Sequence, residues 1–242
     1  MNIISTFDIE SEAILKPEHL ARRIENFPEI AVATFDDKII NLAAERQDAE
    51  IISDMHKTHT RQIYRIKHKN RDIAIWQTLI GGAGSAALLE MMIAKGAKKF
   101  LFFGTCGTLD KGVSSEKFII PTAAYRDEGT SYHYIEAGSY IDIKTANKLS
   151  EIMRELKLPH IKAKTWTTDA LFRETKNNML QRKSEGCLTV EVECASIMAV
   201  GQFRNVEVYQ FLYAEDNLDS SEWEKRNRIV VVRPLSSRQM KY

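Results

Sequence analysis

Apolar and polar positions along this chain follow two rhythms, and the switches between them outline a layered fold. Residues 29–35 (EIAVATF), 99–104 (KFLFFG), 117–125 (KFIIPTAAY), 187–193 (CLTVEVE) and 206–216 (VEVYQFLYAED) are short apolar runs bounded by turn signals. That is the pattern of strands inside a sheet. Residues 62–80 read as a hairpin with its turn near Lys69-Asn70. Helical spacing covers 17–27, opened by Pro17, and 84–99, closed by Gly96. It returns over 145–159, stopped before Pro159, and over 194–204. Strands alternating with helices of about ten to fifteen residues predict an α/β fold with a largely parallel central sheet. Neither a low-complexity linker nor an internal repeat interrupts the 242 residues, so 1–242 reads as a single domain.

Composition narrows the classes. The chain has 34 basic and 33 acidic residues, a net charge of +1, which provides no global field to favour nucleic acid or a membrane surface. Its longest apolar runs are far shorter than a membrane span, and MNIISTFDIESE lacks the basic and apolar regions of a signal peptide. Cys106, Cys187 and Cys194 are odd in number and show no CxxC spacing, so a reduced, cytoplasmic protein is expected. His56 and His59 have no nearby third ligand, and no metal is expected.

In parallel sheets, ligands gather at the carboxyl ends of strands. Those ends fall at 104–108, 124–134, 167–173, 190–194 and 214–217. The first, in FGTCGTL, brings two glycines that allow close backbone approach, the Thr105 hydroxyl and Cys106. Gly82, Gly84 and Ala87 match a loose dinucleotide fingerprint, but the next strand ends in Phe103-Gly104 without the acidic residue that holds a ribose. The second end, PTAAYRDEGTSYHY, is dense in hydrogen-bonding side chains, Arg126 among them. The third offers Phe172 and Trp166 as pocket-lining or core aromatics. In the fourth, Glu191 and Glu193 lie two apart, on one side of a strand, which suits paired hydroxyls, a cation or proton transfer. The fifth places Asp216 at the tip of a buried strand, where an acid can serve as a proton donor.

FFGTCGTL, IIPTAAYRDEGTSYHY, TWTTDALFRET, TVEVECASIMAV and FLYAEDNLD, in that order between about residues 30 and 228, resemble the nucleoside phosphorylase family of uridine phosphorylases and hexameric purine nucleoside phosphorylases. The resemblance implies one α/β domain whose mixed, mostly parallel sheet partly closes into a barrel. It implies dimers assembled into hexamers or trimers, and cleavage of a purine or uracil nucleoside by phosphate, a co-substrate, with no cofactor. Glu193 matches the glutamate that accepts hydrogen bonds from the ribose hydroxyls and supports the positive charge growing on the sugar. Val192 stands where the family has a methionine under the ribose, beside Glu191. Asp216 matches the acid that protonates a departing purine, with Arg226 where a supporting arginine lies and Arg126 as a further supporting residue. Phe172 matches the aromatic that stacks on the base, Cys106 and Gly107 the base-side wall, and Thr105 the hydroxyl given to phosphate.

The anion end departs from the family. The family's Gly-Asp-Pro-x-x-Arg loop after the first strand is replaced by FDDKII, and Phe102 stands where the family has an arginine. Arg61 is a candidate for the third arginine, which a neighbouring subunit usually supplies. Three readings follow. One is a phosphorylase with a rebuilt anion site using Thr105, Arg61 or Lys38. The second is a hydrolase that activates water through Asp36 or Asp37. The third is a non-catalytic nucleoside-binding protein.

Overall fold

The computed structural model describes residues 3–5, 7–56, 60–113, 116–219 and 224–225. Their elements run β1 (Ile30–Thr34), β2 (Glu50–His56), β3 (Thr60–His68), β4 (Arg71–Gln77), β5 (Lys99–Thr108), β6 (Phe118–Asp127), β7 (Tyr140–Asp142), β8 (His160–Thr168), β9 (Cys187–Glu191), β10 (Glu207–Asn217) and β11 (Glu224–Lys225). The helices are α1 (Pro17–Leu20), α2 (Asp37–Ala44), α3 (Gly82–Lys95), α4 (Ala146–Glu155), α5 (Lys176–Ser184) and α6 (Cys194–Phe203).

All eleven strands join one mixed sheet. The long strand β5 organises it. Its first half pairs in parallel with β1, its whole length pairs in parallel with β10, and its tip at Gly107-Thr108 pairs antiparallel with β9. Because β10 also meets β6, β6 meets β8 and β8 meets β9, the strands β5, β10, β6, β8 and β9 close into a ring. From β5 the sheet continues through β1, β4, β3 and β2. The expected α/β fold with a partly closed barrel is therefore the observed one.

Local chemistry explains the elements that were legible. Lys69 and Asn70 both take left-handed φ, at 47° and 61°, which is the two-residue turn that matches strand twist. Gly96 ends α3 with φ 129°. Helix α6 is apolar on every side, and Cys194 through Gly201 are buried where it packs between α3 and the sheet.

Two expectations need correction, the helix over 17–27 and the end of the strand at Gly104, and further elements carried no signal to read. The helix expected over 17–27 stops at Leu20, because the Ile24 N–H leaves for the Lys95 carbonyl (3.1 Å) and Asn26 adopts φ 55°. The polar helix α5 buries only Met179 and Arg182, so it carries no apolar stripe to read. Helix α2 and edge strand β2 were likewise not expected. The glycines of FGTCGT do not form a turn; β5 runs straight through them. A Cβ on Gly104 would meet the Phe35 ring at 2.8 Å, and one on Gly107 would meet Leu218, Asp216 and Val190 at 2.7–3.0 Å. These glycines serve close side-chain approach inside a strand.

Candidate active site

The carboxyl ends of β5, β6, β8, β9 and β10 carry the polar residues singled out above, and three buried carboxylates lie among them. β9 ends at Glu191, and Glu193 is already the residue that opens α6. The two glutamates therefore do not share the face of one strand; the chain turns between them. Glu191 folds back under the start of α6, accepting from the N–H of Glu193 (2.8 Å) and Cys194 (2.6 Å) and from Thr167 Oγ1 (2.6 Å). Thr167 in turn accepts from the Ala195 N–H (3.0 Å). Glu191 thus satisfies backbone donors that a helix leaves open at its first turn. Its partners are within the protein, which reassigns it from ligand contact to fixing the β9–α6 corner.

Glu193 is held differently. Its Oε1 accepts from the Gly81 N–H at 2.7 Å, at the start of α3, and Gly81 adopts φ 94°. Burial first, and the neighbouring Glu191 second, raise the Glu193 carboxyl above the ordinary glutamate range. Burial also raises Glu191, against the pull of its three donors. Val192, between them, is half-buried.

Glu128 is the third buried carboxylate, and reading the sequence did not single it out. It accepts from Ser196 Oγ (2.5 Å) on α6 and from the Ser131 N–H (3.0 Å). Gly82 is there because a Cβ would collide with Ser196 Oγ. The one hint in the sequence was the density of polar residues after β6.

At the β10 end, the register shifts between Ala214 and Asp216, and the bulge brings the Asp216 carboxylate over Gly107. Thr108 Oγ1 donates to the Asp216 carbonyl at 3.0 Å. Since β5 is a continuous strand, Thr105 and Gly107 share a face and Cys106 points to the other. Cys106 is buried with Val113, Ile119, Ala163 and Leu212, so its side chain belongs to an apolar cluster rather than to a wall beside Asp216. Trp166 is also core, with its indole N–H on Asp127 at 3.0 Å. Phe172, expected to stack on a base, is 95% exposed on the loop after β8.

Arg126 is buried, and its guanidinium donates to Ser131 Oγ (2.8 Å) and to the carbonyls of Glu136 (2.6 Å) and Ile135 (3.1 Å). It supports the loop after β6 from inside. Arg226 lies outside the described residues.

The anion end is apolar. The Phe35 ring lies against Gly104, and Phe102 is fully buried edge-to-face on Trp76 (5.7 Å, 87°). Asp36 caps α2 by accepting from the Lys38 N–H at 2.9 Å, and Asp37 accepts from the Gln77 side chain. Arg61 is on β3, three strands from the Thr105 strand in the order β5-β1-β4-β3. At about 4.8 Å per strand, roughly 14 Å separate the two backbones, so one chain does not bring Arg61 to Thr105.

Among the described residues, no group of three or more His, Cys, Asp or Glu could hold a metal ion, and no helix is long and apolar enough to cross a membrane. All three cysteines are buried and unpaired with one another.

Comparison with known proteins gives the family and the fold. The chain is 24% identical over 214 residues to a guanosine phosphorylase of Halorubrum lacusprofundi, covering 84% of each protein. It is 31% identical over 119 residues to a uridine phosphorylase of Thermococcus kodakarensis, covering 48% of this chain and 41% of that one. A crystal structure of uridine phosphorylase from Vibrio fischeri ES114 superposes with a TM-score of 0.70 at 18% identity, covering 84% of this chain and 86% of the other, and shares the fold. A family profile described as the phosphorylase superfamily matches residues 29–234, and the chain belongs to that superfamily, the family of purine nucleoside and uridine phosphorylases.

Proposed function

We propose that this chain cleaves the N-glycosidic bond of a purine or uracil nucleoside, with phosphate as nucleophile, releasing the base and a pentose 1-phosphate. The observation that carries the reading is Glu193, a buried carboxyl at the start of α6 anchored on the Gly81 N–H at the start of α3. Ribose 2′ and 3′ hydroxyls donate to it. As the C1′–N bond breaks, positive charge grows on the sugar, and the ionised form of Glu193, already oriented by the Gly81 N–H, stabilises it. The electron pair of the broken bond enters the base, and Asp216 supplies a proton to it. A phosphate oxygen beside Thr105 closes on C1′. The protein works as a homo-oligomer built from dimers, and the partner subunit's Arg61 reaches the phosphate that its own chain cannot. No resident cofactor takes part.

A second reading, hydrolysis, is favoured by the anion end. Phe102 stands where the family has an arginine, and FDDKII, in place of the family's Gly-Asp-Pro-x-x-Arg loop, carries no arginine.

One experiment separates them. The purified protein is incubated with inosine, adenosine, guanosine and uridine, with and without phosphate, and free base is quantified. Phosphorolysis requires base release only with phosphate; equal release without it establishes hydrolysis. Two charge-assisted hydrogen bonds at about 1.5–3 kcal/mol each make Glu193→Ala roughly 100-fold or more slower in kcat/KM. An unchanged kcat/KM would remove Glu193 from the ribose site.

A further inference from the structure

Glu128 has no part in the reaction as set out above, yet it closes a contact right beside the one that holds Glu193. The starts of α3 and α6 meet through two neighbouring pairs. In the first, the Gly81 N–H donates to Glu193 Oε1 at 2.7 Å. In the second, Gly82 faces Ser196, whose Oγ occupies the place a Gly82 Cβ would take. Gly81 and Gly82 are consecutive, and Glu193 and Ser196 are three apart across the first turn of α6, which puts them on one side of it. Ser196 is fully buried, and its hydroxyl donates to Glu128 Oε2 at 2.5 Å. The same oxygen lies 3.6 Å from the Gly82 Cβ position, so the Glu128 carboxyl sits at the seam of the two helices. It also accepts from the Ser131 N–H at 3.0 Å, and Ser131 Oγ accepts from Arg126 Nε at 2.8 Å. Arg126 is tied in turn to the carbonyls of Ile135 and Glu136. One buried side chain thus fastens the loop after β6 to the seam between α3 and α6.

We propose that Glu128 is a positioning residue of the sugar site: by holding Ser196 against Gly82, it fixes the spacing of α3 and α6 at which Gly81 keeps Glu193 aimed at the ribose hydroxyls. The inference rests on the ribose role given to Glu193 in the proposed reaction. The Gly81 bond is a single contact, and a single contact leaves two packed helices free to rock about it. A second contact one turn along α6 removes that freedom. Ser196 does not make this contact secure by itself. A serine inside a helix can turn its hydroxyl back to the carbonyl four residues earlier, which here belongs to Val192. Glu128 takes that hydroxyl instead, and the Ser131 N–H anchors Glu128 to a different element. The need for such a device follows from geometry, because a misplacement of about 1 Å in a reacting constellation can cost roughly 100-fold in rate.

The test uses Glu128→Ala, Glu128→Gln, Ser196→Ala, Glu193→Ala and the double variant Glu128→Ala/Glu193→Ala, each checked for native thermal unfolding. Two readouts are taken. The first needs no activity: hydrogen exchange of the Gly81 amide, followed by NMR. Exchange is expected to quicken at least about tenfold in Glu128→Ala and Ser196→Ala, with no change at Leu89 inside α3. Glu128→Gln keeps an acceptor oxygen for both donors and should recover most of the protection. The second readout is kcat/KM for inosine in phosphate. Glu128→Ala is expected to lose about tenfold or more, and Glu128→Gln to recover part of it. In the Glu193→Ala background the same Glu128→Ala change should cost almost nothing further, since no carboxylate is left to position. A merely structural clamp would lower the unfolding temperature and leave Gly81 exchange and the coupling to Glu193 unmoved. Unchanged Gly81 exchange in Glu128→Ala, or an equal loss of kcat/KM with and without Glu193, overturns the proposal. If Glu128→Ala fails to fold, Ser196→Ala, which removes one hydroxyl, carries both readouts. Faster Gly81 exchange in a protein that cleaves no nucleoside leaves the hold on Glu193 standing and sinks the proposed reaction instead.

Discussion

The Gly81 N–H lies 2.7 Å from Oε1 of Glu193, although 112 residues separate the two in sequence. Gly81 holds φ 94° to aim that bond, and no atom lies within 4 Å of where its Cβ would be. A Gly81→Ala substitution therefore meets a backbone cost alone, about 1–3 kcal/mol at a φ of 94° and ψ of 144°, which side-chain-bearing residues rarely adopt. Urea unfolding should show that loss. The KM for nucleoside should rise as well, because relaxing φ turns the N–H away from Glu193. A KM equal to wild type would separate the Gly81 bond from substrate binding.

Thr167 carries two bonds at the β9–α6 corner, giving to Glu191 at 2.6 Å and taking from Ala195 at 3.0 Å. Thr167→Val removes both and leaves a buried N–H and a buried carboxylate short of a partner. The expected cost is about 1–3 kcal/mol per stranded group, read as a lower urea midpoint. Thr167→Ser keeps the hydroxyl and should lie much closer to wild type; equal losses in the two variants would argue against the hydrogen bonds.

Phe102 occupies the place of a family arginine but is packed on Trp76 in the core. Reinstating the cation with Phe102→Arg buries an unpaired charge, a loss on the order of 3–5 kcal/mol. The thermal midpoint should drop sharply, with no gain in phosphate affinity by calorimetry. A stable variant that binds phosphate more tightly would show that the anion pocket is open on this side.

Stability should depend on pH in two opposite windows. Glu174, raised from 4.5 to about 7 by burial and then by Asp216, binds its proton more tightly when folded. Its contribution is complete below about 4.5 and is lost as pH rises through about 7. Buried Glu191 and Glu193 act in the same direction. Glu207, bonded to Lys148, and Asp48, bonded to Arg46, are lowered to about 2. Their contribution is present above their ordinary values of 4.5 and 3.8 and is lost as pH falls toward 2. The urea midpoint should thus decline from pH 5 to 8, decline again in acid, and flatten on the alkaline side in Glu174→Gln. A midpoint that rises between pH 5 and 8 would contradict the burial argument.

Much of this site was legible because it lies at strand ends. Buried strands announce themselves by composition, and the residues that follow them converge in any parallel sheet. Glu193, Asp216 and the Lys69-Asn70 turn could be named that way. The role of Glu191 could not. Strand periodicity put it beside Glu193, but the strand ends two residues earlier than that pairing needs, and the new helix takes the carboxylate for its own N–H groups. Phe172 illustrates the converse: its type suggested stacking, while a single chain leaves it in solvent.

By itself, then, the sequence determined the buried strands, the helices α3, α4 and α6, the Lys69-Asn70 turn and which strand ends are polar, since these follow from spacing of a few residues. Only the tertiary structure decided what each polar group does. Closure of β10 onto β5 brings Asp216 over Gly107, and α3 presents Gly81 to Glu193. The Phe35 ring lies against Gly104, Phe102 packs on Trp76, and Oε1 of Glu174 is left buried without a donor. The physical reason is that hydrogen-bond partners and dielectric surroundings come from elements up to 112 residues apart, and no local pattern encodes them.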